Sequence, residues 1–286
     1  MEKSILDHLH GNMLEIYQEV AAICDRHDLK YFVVGGTLLG AVVHKGYIPW
    51  DDDFDIAMPR DDYDQFINLY AKELSNRFYL HHTVTDDNYW IPFTKVRINN
   101  TVFLEEKRKN VDSHAGIYMD IFPFDYSPDC NRMMAKLKWR IMTWINNYIY
   151  TKVTGINKTS RSGRILNPFF SLFSIKKLSL FRDNLMRSFD KGERKYYVDL
   201  AGGRRLDNSY FAIDTILPLG EMNFGDVSVK VPVDPNRYLV QLYTERYKII
   251  PPKEQQITHE PVCIKFEDGT EYEKEIINIV ENDKKI

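Results

Sequence analysis

Asp51, Asp52, Asp53 and Asp55 fall within five consecutive positions of IPWDDDFDIAMPRDD, residues 48–62. Beside apolar residues such a run is unfavourable unless a cation is shared, because like charges raise one another's cost of ionisation. Alternate residues of an extended strand project from one face, roughly 6.5 Å apart along the backbone, and the residue between them projects from the other. Asp53 and Asp55 are therefore expected to face together, while Phe54 and Ile56 anchor the opposite face in a core. Asp51 shares the parity of the pair if the strand starts early, and Asp52 has no evident role. Carboxylates converging from one rigid strand offer hard oxygen donors of the kind that Mg²⁺ or Mn²⁺ prefers. An arbitrary acidic triplet is more often a solvated loop or helix cap, but here the acids alternate with apolar residues.

Two further features belong with this cluster. Gly35 and Gly36 close a short β-branched and aromatic run, LKYFVV, and open TLLGAVVHKG, so a strand runs through a glycine turn into a helix with Thr37 in a capping position. Backbone amides at such a turn can cradle phosphate. A third carboxylate is expected from a later strand, and Asp120 in GIYMDIFPFD is the best candidate. It is flanked by Tyr118, Met119, Ile121 and Phe122, and its burial demands a metal or a cationic partner. The glycine turn followed by an Asp-x-Asp strand describes a nucleotidyltransferase-type site. Lys95 and Arg97 alternate on one strand and reach one face, where they meet phosphate oxygens or form an exposed edge. His44 and Lys45, after the glycine helix, touch a ligand or simply end the helix in solvent. His81, His82, His114 and His259 lack metal-ligand spacing and read as structural or exposed.

The elements that must position these residues follow from periodicity. Ile5, Leu9, Met13, Ile16, Val20 and Ile23 recur at steps of three and four, which predicts an amphipathic helix over 5–27 with Cys24 on its apolar side. DFDIAM reads as a strand ended by Pro59, and residues 60–74 as a helix with acids in its first turn. Strands are expected at 78–82, 92–98, 101–106 and 116–124. MAKLKWRIMTWINNYIY and PFFSLFSIKKLSLFRDNLMRSF each read as helical, joined by the loop TGINKTSRSGR. ILPLGEMNFGDVSVKVPVD predicts a hairpin around Gly225-Asp226, and NRYLVQLYTERY a last helix before Pro251-Pro252. The fold class is α/β (α+β), a mixed sheet with flanking helices and a basic, aromatic helical insertion. The division expected is a catalytic core with an N-terminal helix over 1–130, the insertion over 131–195, and a part completing the core over 196–286.

Composition bounds the function. With 44% hydrophobic and 28% charged residues over 286 positions, the chain is an ordinary globular one. Its net charge of -3 gives no whole-protein field for nucleic acid, and no nucleic-acid module is evident. The distribution is uneven: residues 131–195 hold fifteen Lys/Arg against three Asp/Glu, interleaved with Trp139, Trp144 and Phe169 among other aromatics. That segment is either a charged helical face covering the sheet or a surface for anionic lipid headgroups. Cys24, Cys130 and Cys263 are too few and too scattered for a disulfide framework, so a reducing compartment is the simplest reading. The opening MEKSILDHLHGNMLEIYQEV lacks the plan of a signal peptide, and no run of about eighteen apolar residues follows. A cytoplasmic protein is expected, with membrane contact at the inner face peripheral through 131–195.

GGTLLGAVVHKGYIPWDDDFDIAMPRDDYDQF resembles the hallmark segment of the LicD family, the phosphocholine-transferase-like proteins to which the fukutin-type sugar phosphotransferases are also similar. The likeness extends through FTKVRINNTVF, HAGIYMDIFPFD, LPLGEMNFGDVSVKVPVDPNRYLVQLY and IIPPKEQQITHE, most of residues 28–260. It implies a nucleotidyltransferase-like fold that uses a divalent metal to move a phospho-alcohol from a CDP-activated donor, typically CDP-choline, to a hydroxyl of a glycan or lipid-linked glycan, with CMP leaving. Asp53 and Asp55 match the family's metal-binding pair, Asp51 the acid before it, and Asp120 the later acidic strand, as ligand in preference to general base. Donor and phosphate contacts are expected from Gly35, Gly36, Thr37, His44, Lys45, Lys95 and Arg97. Trp50 and Tyr118 are candidates for stacking on the base or the choline, with a core role for Trp50 the plainer one. Where many members carry an arginine this chain has Val43, which removes a possible phosphate contact. The same acids would serve transfer of phosphoribitol, phosphoglycerol or a nucleotidyl group, and a non-catalytic glycan- or nucleotide-binding module is the alternative outside enzymes.

Overall fold

The computed structural model describes residues 1–127, 133–189, 193–203, 205–256 and 258–274. Cys130 lies outside them. The chain is α/β, built on one mixed sheet. Helix α1, Lys3–Arg26, buries Leu9, Met13, Ile16, Val20 and Ile23 completely, as the three-and-four spacing requires. Each such side chain contributes about 1.5–3 kcal/mol through area removed from water. Strand β1, Phe32–Val33, pairs antiparallel with β2, Asp55–Pro59. Between them lie α2, Gly35–Leu39, and one wider π turn, Gly40–His44. Helix α3, Arg60–Glu73, starts directly from β2, with Asp61 and Asp62 in its first turn.

Strands β3, Phe78–His81, and β4, Thr94–Ile98, run antiparallel, and β5, Val102–Glu105, leaves for a second sheet. The ten-residue β6, Tyr118–Ser127, is the spine of the fold. Along one edge it pairs parallel with β2, and along the other antiparallel with β4 and then, through its later half, with β7. The parallel pairing sets Asp55 opposite Asp120, and the antiparallel one sets Lys95 opposite the same Asp120. The register of three strands thus brings the charged residues to one place.

After β6 come α4, Met133–Thr154, the short α5, Arg161–Arg164, and α6, Asn167–Phe170, and then α7, Ile175–Arg187. The expected single helix over 168–189 is divided in two because Ser174 caps a new start, its side chain accepting from the Lys177 amide. Ser160 does the same for α5 inside the expected loop, accepting from Gly163. Ile145, Ile149, Phe170 and Leu178 form the insertion's own core. Strands β7, Tyr196–Asp199, and β8, Tyr210–Ala212, then return to the central sheet, followed by α8, Ile213–Ile216. Strands β9, Gly220–Phe224, and β10, Val227–Val231, make the expected hairpin around Gly225 (φ +60°) and Asp226. Helix α9, Pro235–Tyr243, is capped by Asp234, and β11, Pro261–Lys265, joins β12, Glu271–Glu273, to β5. No described helix is long and apolar enough to cross a membrane.

Candidate active site

Pairing of β2 begins at Asp55, so Asp53 lies in the extended segment just before the strand. The parity nevertheless holds. Asp53 and Asp55 both line a cleft of about 400 Å³, whereas Phe54 is fully buried against the rings of Tyr17 and Phe224. Asp120, brought alongside Asp55 by the parallel register, lines the same cleft. The glycine turn fits closely around these acids. Gly35 sits at φ +56°, a conformation open to glycine, and a Cβ there would stand 3.3 Å from an Asp55 carboxylate oxygen. A Cβ on Gly36 would come within 2.7 Å of Asp51 Oδ2, which makes that glycine a space for a carboxylate.

Burial acts strongly on the cluster. Asp55 is pushed well above the usual carboxylate range by burial first, then by the charges of Asp53 and Asp120. Its Oδ1 is buried with no hydrogen-bond partner. Asp53 is raised by burial, with His259 working against the rise and Asp120 adding to it. Asp51 is raised to about 8 by burial, then by Asp53 and Asp52. Asp51 lies against Gly36 behind the pair, outside the cleft lining. Asp55 Oδ1 and the facing Asp53 are donors of the type Mg²⁺ or Mn²⁺ takes. Among the described residues no three His, Cys, Asp or Glu side chains form a ready-made metal cage.

Asp120 has the cationic partner that its burial demands. Lys95 Nζ donates to both of its oxygens, at 2.6 and 2.8 Å, from a side chain almost wholly buried over the Tyr118 ring. Burial lowers the Lys95 ammonium to about 8, against the pull of Asp120. Lys95 therefore addresses the acid and not open solvent. Arg97 shares its face, as the alternation predicts, but donates to His81 Nδ1 and to the Gly116 carbonyl outside the cleft. Tyr118 forms the floor beneath both cations and meets His259 edge to face, itself outside the cleft lining.

Thr37 is not a cap: α2 starts after Val34, and the buried Thr37 hydroxyl accepts from the Asp55 amide at 2.8 Å. It fixes the strand that carries the acids. His44 and Trp50 meet edge to face, ring centroids 6.2 Å apart, and Lys45 donates to the Val42 carbonyl, all three outside the cleft lining.

Several residues in and behind the cleft have no signature in sequence spacing. Asp52, fully buried, accepts from both the backbone amide and the ring Nδ1 of His259. His259 Nε2 is thereby turned toward Asp53, 3.8 Å away, in the cleft. Burial by itself would lower this imidazole, but the Asp52 hydrogen bond and the charges of Asp53 and Asp52 outweigh it and raise it to about 9. Arg108 and Lys158 bring positive charge to the walls. Trp90, Phe93, Phe122 and Tyr150 bring aromatic faces, Tyr150 from α4 of the insertion. Parity placed Asp52 on the opposite side from its neighbours; nothing local could announce a histidine 207 residues away.

A family model described as LicD/FKTN/FKRP, nucleotidyltransferase domain, matches residues 28–153. The lipopolysaccharide cholinephosphotransferase LicD of Haemophilus influenzae is 34% identical over 128 residues, 44% of this chain and 42% of that protein. An uncharacterised protein of Rickettsia prowazekii is 27% identical over 114 residues, 39% of this chain and 40% of its own length. One of Rickettsia typhi is 26% identical over 116 residues, 40% of this chain and 35% of its own. The matches span about two fifths of these relatives. Asp53, Asp55, Asp120 and Lys95 fall within the matched residues, and His259 beyond them.

Proposed function

We propose that this chain, whose residues 28–153 match the LicD family model, moves phosphocholine, or a closely similar phospho-alcohol, from a CDP-activated donor to a sugar hydroxyl of a cell-surface glycan precursor, releasing CMP. The observation that carries the reading is the convergence of Asp53, Asp55 and Asp120 beside the glycine turn, with one Asp55 oxygen buried and unpaired. Asp53 and Asp55 would hold Mg²⁺ or Mn²⁺, with Asp120 as a further ligand and Asp51 behind them. When bound, the ion neutralises charge on the pyrophosphate.

In the transfer the acceptor oxygen bonds to the phosphorus bearing the alcohol, the bond from that phosphorus to CMP breaks, and the hydroxyl proton passes to solvent. Asp120 is the weaker choice for taking that proton, because both of its carboxylate oxygens already accept from Lys95 Nζ. Arg108, Lys158 and the charged His259 line the cleft and would present positive groups to the donor's phosphates. Trp90, Phe93, Phe122 and Tyr150 line the cleft with the kind of rings a quaternary ammonium prefers, although Tyr150 already has Lys158 Nζ 3.9 Å from its centroid and Trp90 the Arg108 guanidinium 5.4 Å from its own. That wall favours choline over the polyol alternatives, ribitol and glycerol.

The test is CMP release from CDP-choline, CDP-ribitol and CDP-glycerol, with Mg²⁺, with Mn²⁺ and with chelator, in the presence and absence of a glycan acceptor. Release that needs both the divalent ion and the acceptor, and that is fastest with CDP-choline, is the expected result. Preference for a polyol donor would reassign the aromatic wall. No turnover and no metal-dependent nucleotide binding would leave a non-catalytic module.

A further inference from the structure

The apolar side chains that the fold leaves outside are concentrated on the insertion. Ile165, Phe169, Leu172, Phe173, Leu180 and Phe181 are all exposed, Ile165 by 80% and Leu172 by 77%. The rings of Phe169 and Phe173 lie 5.2 Å apart, so the short α6 and the turn after it form one patch. Helix α7 continues it. Its inner face buries Leu178, Arg182 and Met186, while Lys177, Leu180, Phe181 and Asn184, at helical spacing, face outward. A folded chain rarely leaves so many large apolar side chains exposed within one short segment without a partner.

Charge identifies the partner. Between Arg164 and Arg182 the sequence contains no acidic residue, and Arg164, Lys176 and Lys177 are exposed among the apolar side chains. Lys176 reaches Asp87, at 2.5 Å, in an exposed pair of the kind that solvent screens. A second copy of the chain, docking patch to patch, would bring like charges together. Phenylalanine and leucine beside lysine and arginine on a surface helix suit the boundary between acyl chains and anionic headgroups.

We propose that residues 164–181 form a docking surface for an anionic lipid bilayer. The same insertion supplies Asn146, Asn147, Tyr150 and Lys158 to the wall of the cleft, so docking holds the cleft beside the membrane. Only the consequence that the acceptor is lipid-borne rests on the transferase reading; the docking itself does not.

The experiment is co-sedimentation of the full chain with vesicles of phosphatidylcholine alone and of phosphatidylcholine and phosphatidylglycerol in equal amounts, at low and high salt. Binding to the anionic vesicles, weakened at least tenfold by salt or by omission of phosphatidylglycerol, is expected. The variant F169S/L172S/F181S, altered only at exposed positions, should lose that binding at least tenfold while keeping its melting temperature and its CMP release in solution. A second variant, R164E/K177E, should lose it without any apolar change. Equal sedimentation of wild type and both variants, or no sedimentation of the wild type, overturns the proposal. So does a wild type that elutes as a dimer where the triple serine variant is a monomer, since a second copy would then cover the face. Because the assay contains no nucleotide, its failure leaves the transferase reading standing, and loss of CMP release leaves the docking standing.

Discussion

Asp53 stands in the cleft with its carboxyl raised by burial and by Asp120, a cost that His259 offsets only in part. Asp53→Asn removes a ligand and a repulsive charge together, and should abolish CMP release while leaving the melting temperature equal or higher; near-full activity in the variant would remove Asp53 from the metal site. Asp52 works differently, since its carboxylate faces away from the cleft and fixes His259 through two donors. Asp52→Asn keeps the shape and removes the charge that holds this imidazole at about 9, so His259 should titrate nearer its ordinary 6.5. A ring titration followed by NMR measures this, and turnover should suffer more at about pH 8 than at about pH 6, where the ring stays charged. An unchanged titration would assign the raised value to Asp53 instead. The residue scale was legible where chemistry is local, in the parity of Asp53 and Asp55 and in the demand of Asp120 for a partner. It was not legible for His259, whose role exists only through a contact across 207 residues.

Strands and helices emerged from periodicity with small changes of boundary, and those changes matter to the site. The run LKYFVV reduces to two paired residues because the chain must turn at Gly35, and Thr37 pins the Asp55 amide in place of capping α2. Lys95 and Arg97 share a face as their alternation foretold, yet that face is closed by Tyr118 and Asp120, which only the strand register of β4 against β6 decides. One tie between elements was invisible in the sequence. Arg60, at the start of α3, donates in bidentate fashion to the buried Asp125 of β6 and also reaches Asp183 of α7. It therefore joins the sheet to the insertion that walls the cleft. Arg60→Met keeps the apolar stem and leaves Asp125 buried without its cation, a loss that costs about 3–5 kcal/mol in comparable pairs. Urea unfolding should report a deficit of that order, and a deficit under about 1 kcal/mol would show that water or Arg187 substitutes for the guanidinium.

Across the whole molecule, a net charge of -3 conceals a basic insertion and a cluster of buried acids, and the two have different consequences. The acids govern how stability depends on pH. Asp51 holds its proton to about 8 in the folded chain against 3.8 for the free group, and Asp53 and Asp55 are raised as well. Between those values the unfolded chain has released protons that the folded chain keeps, so stability falls as pH rises through this window. His259 acts in the same direction: its contribution is complete below 6.5 and lost as pH passes about 9. Against the cost of burial, Asp183 is lowered overall by Arg60 and Arg187 and opposes this at the acid end. His81, His82 and His114, lowered chiefly by burial to about 3, 4 and 4, oppose it up to about 6.5, because there the unfolded chain binds protons that the folded rings do not. A divalent ion binds the deprotonated acids and only in the folded state, so it should restore what the rising pH removes. Above about pH 6.5 that opposition is exhausted, so in chelator the melting temperature should decline from about pH 6.5 to about pH 8, and Mg²⁺ should raise it more at the upper value than at the lower. Asp53→Asn should flatten both responses, since it deletes one of the coupled charges and one ligand. A melting temperature that rises in chelator between those two values would mean that the buried acids are compensated without metal. An Mg²⁺ effect absent at about pH 8 would take the ion away from Asp53 and Asp55 altogether.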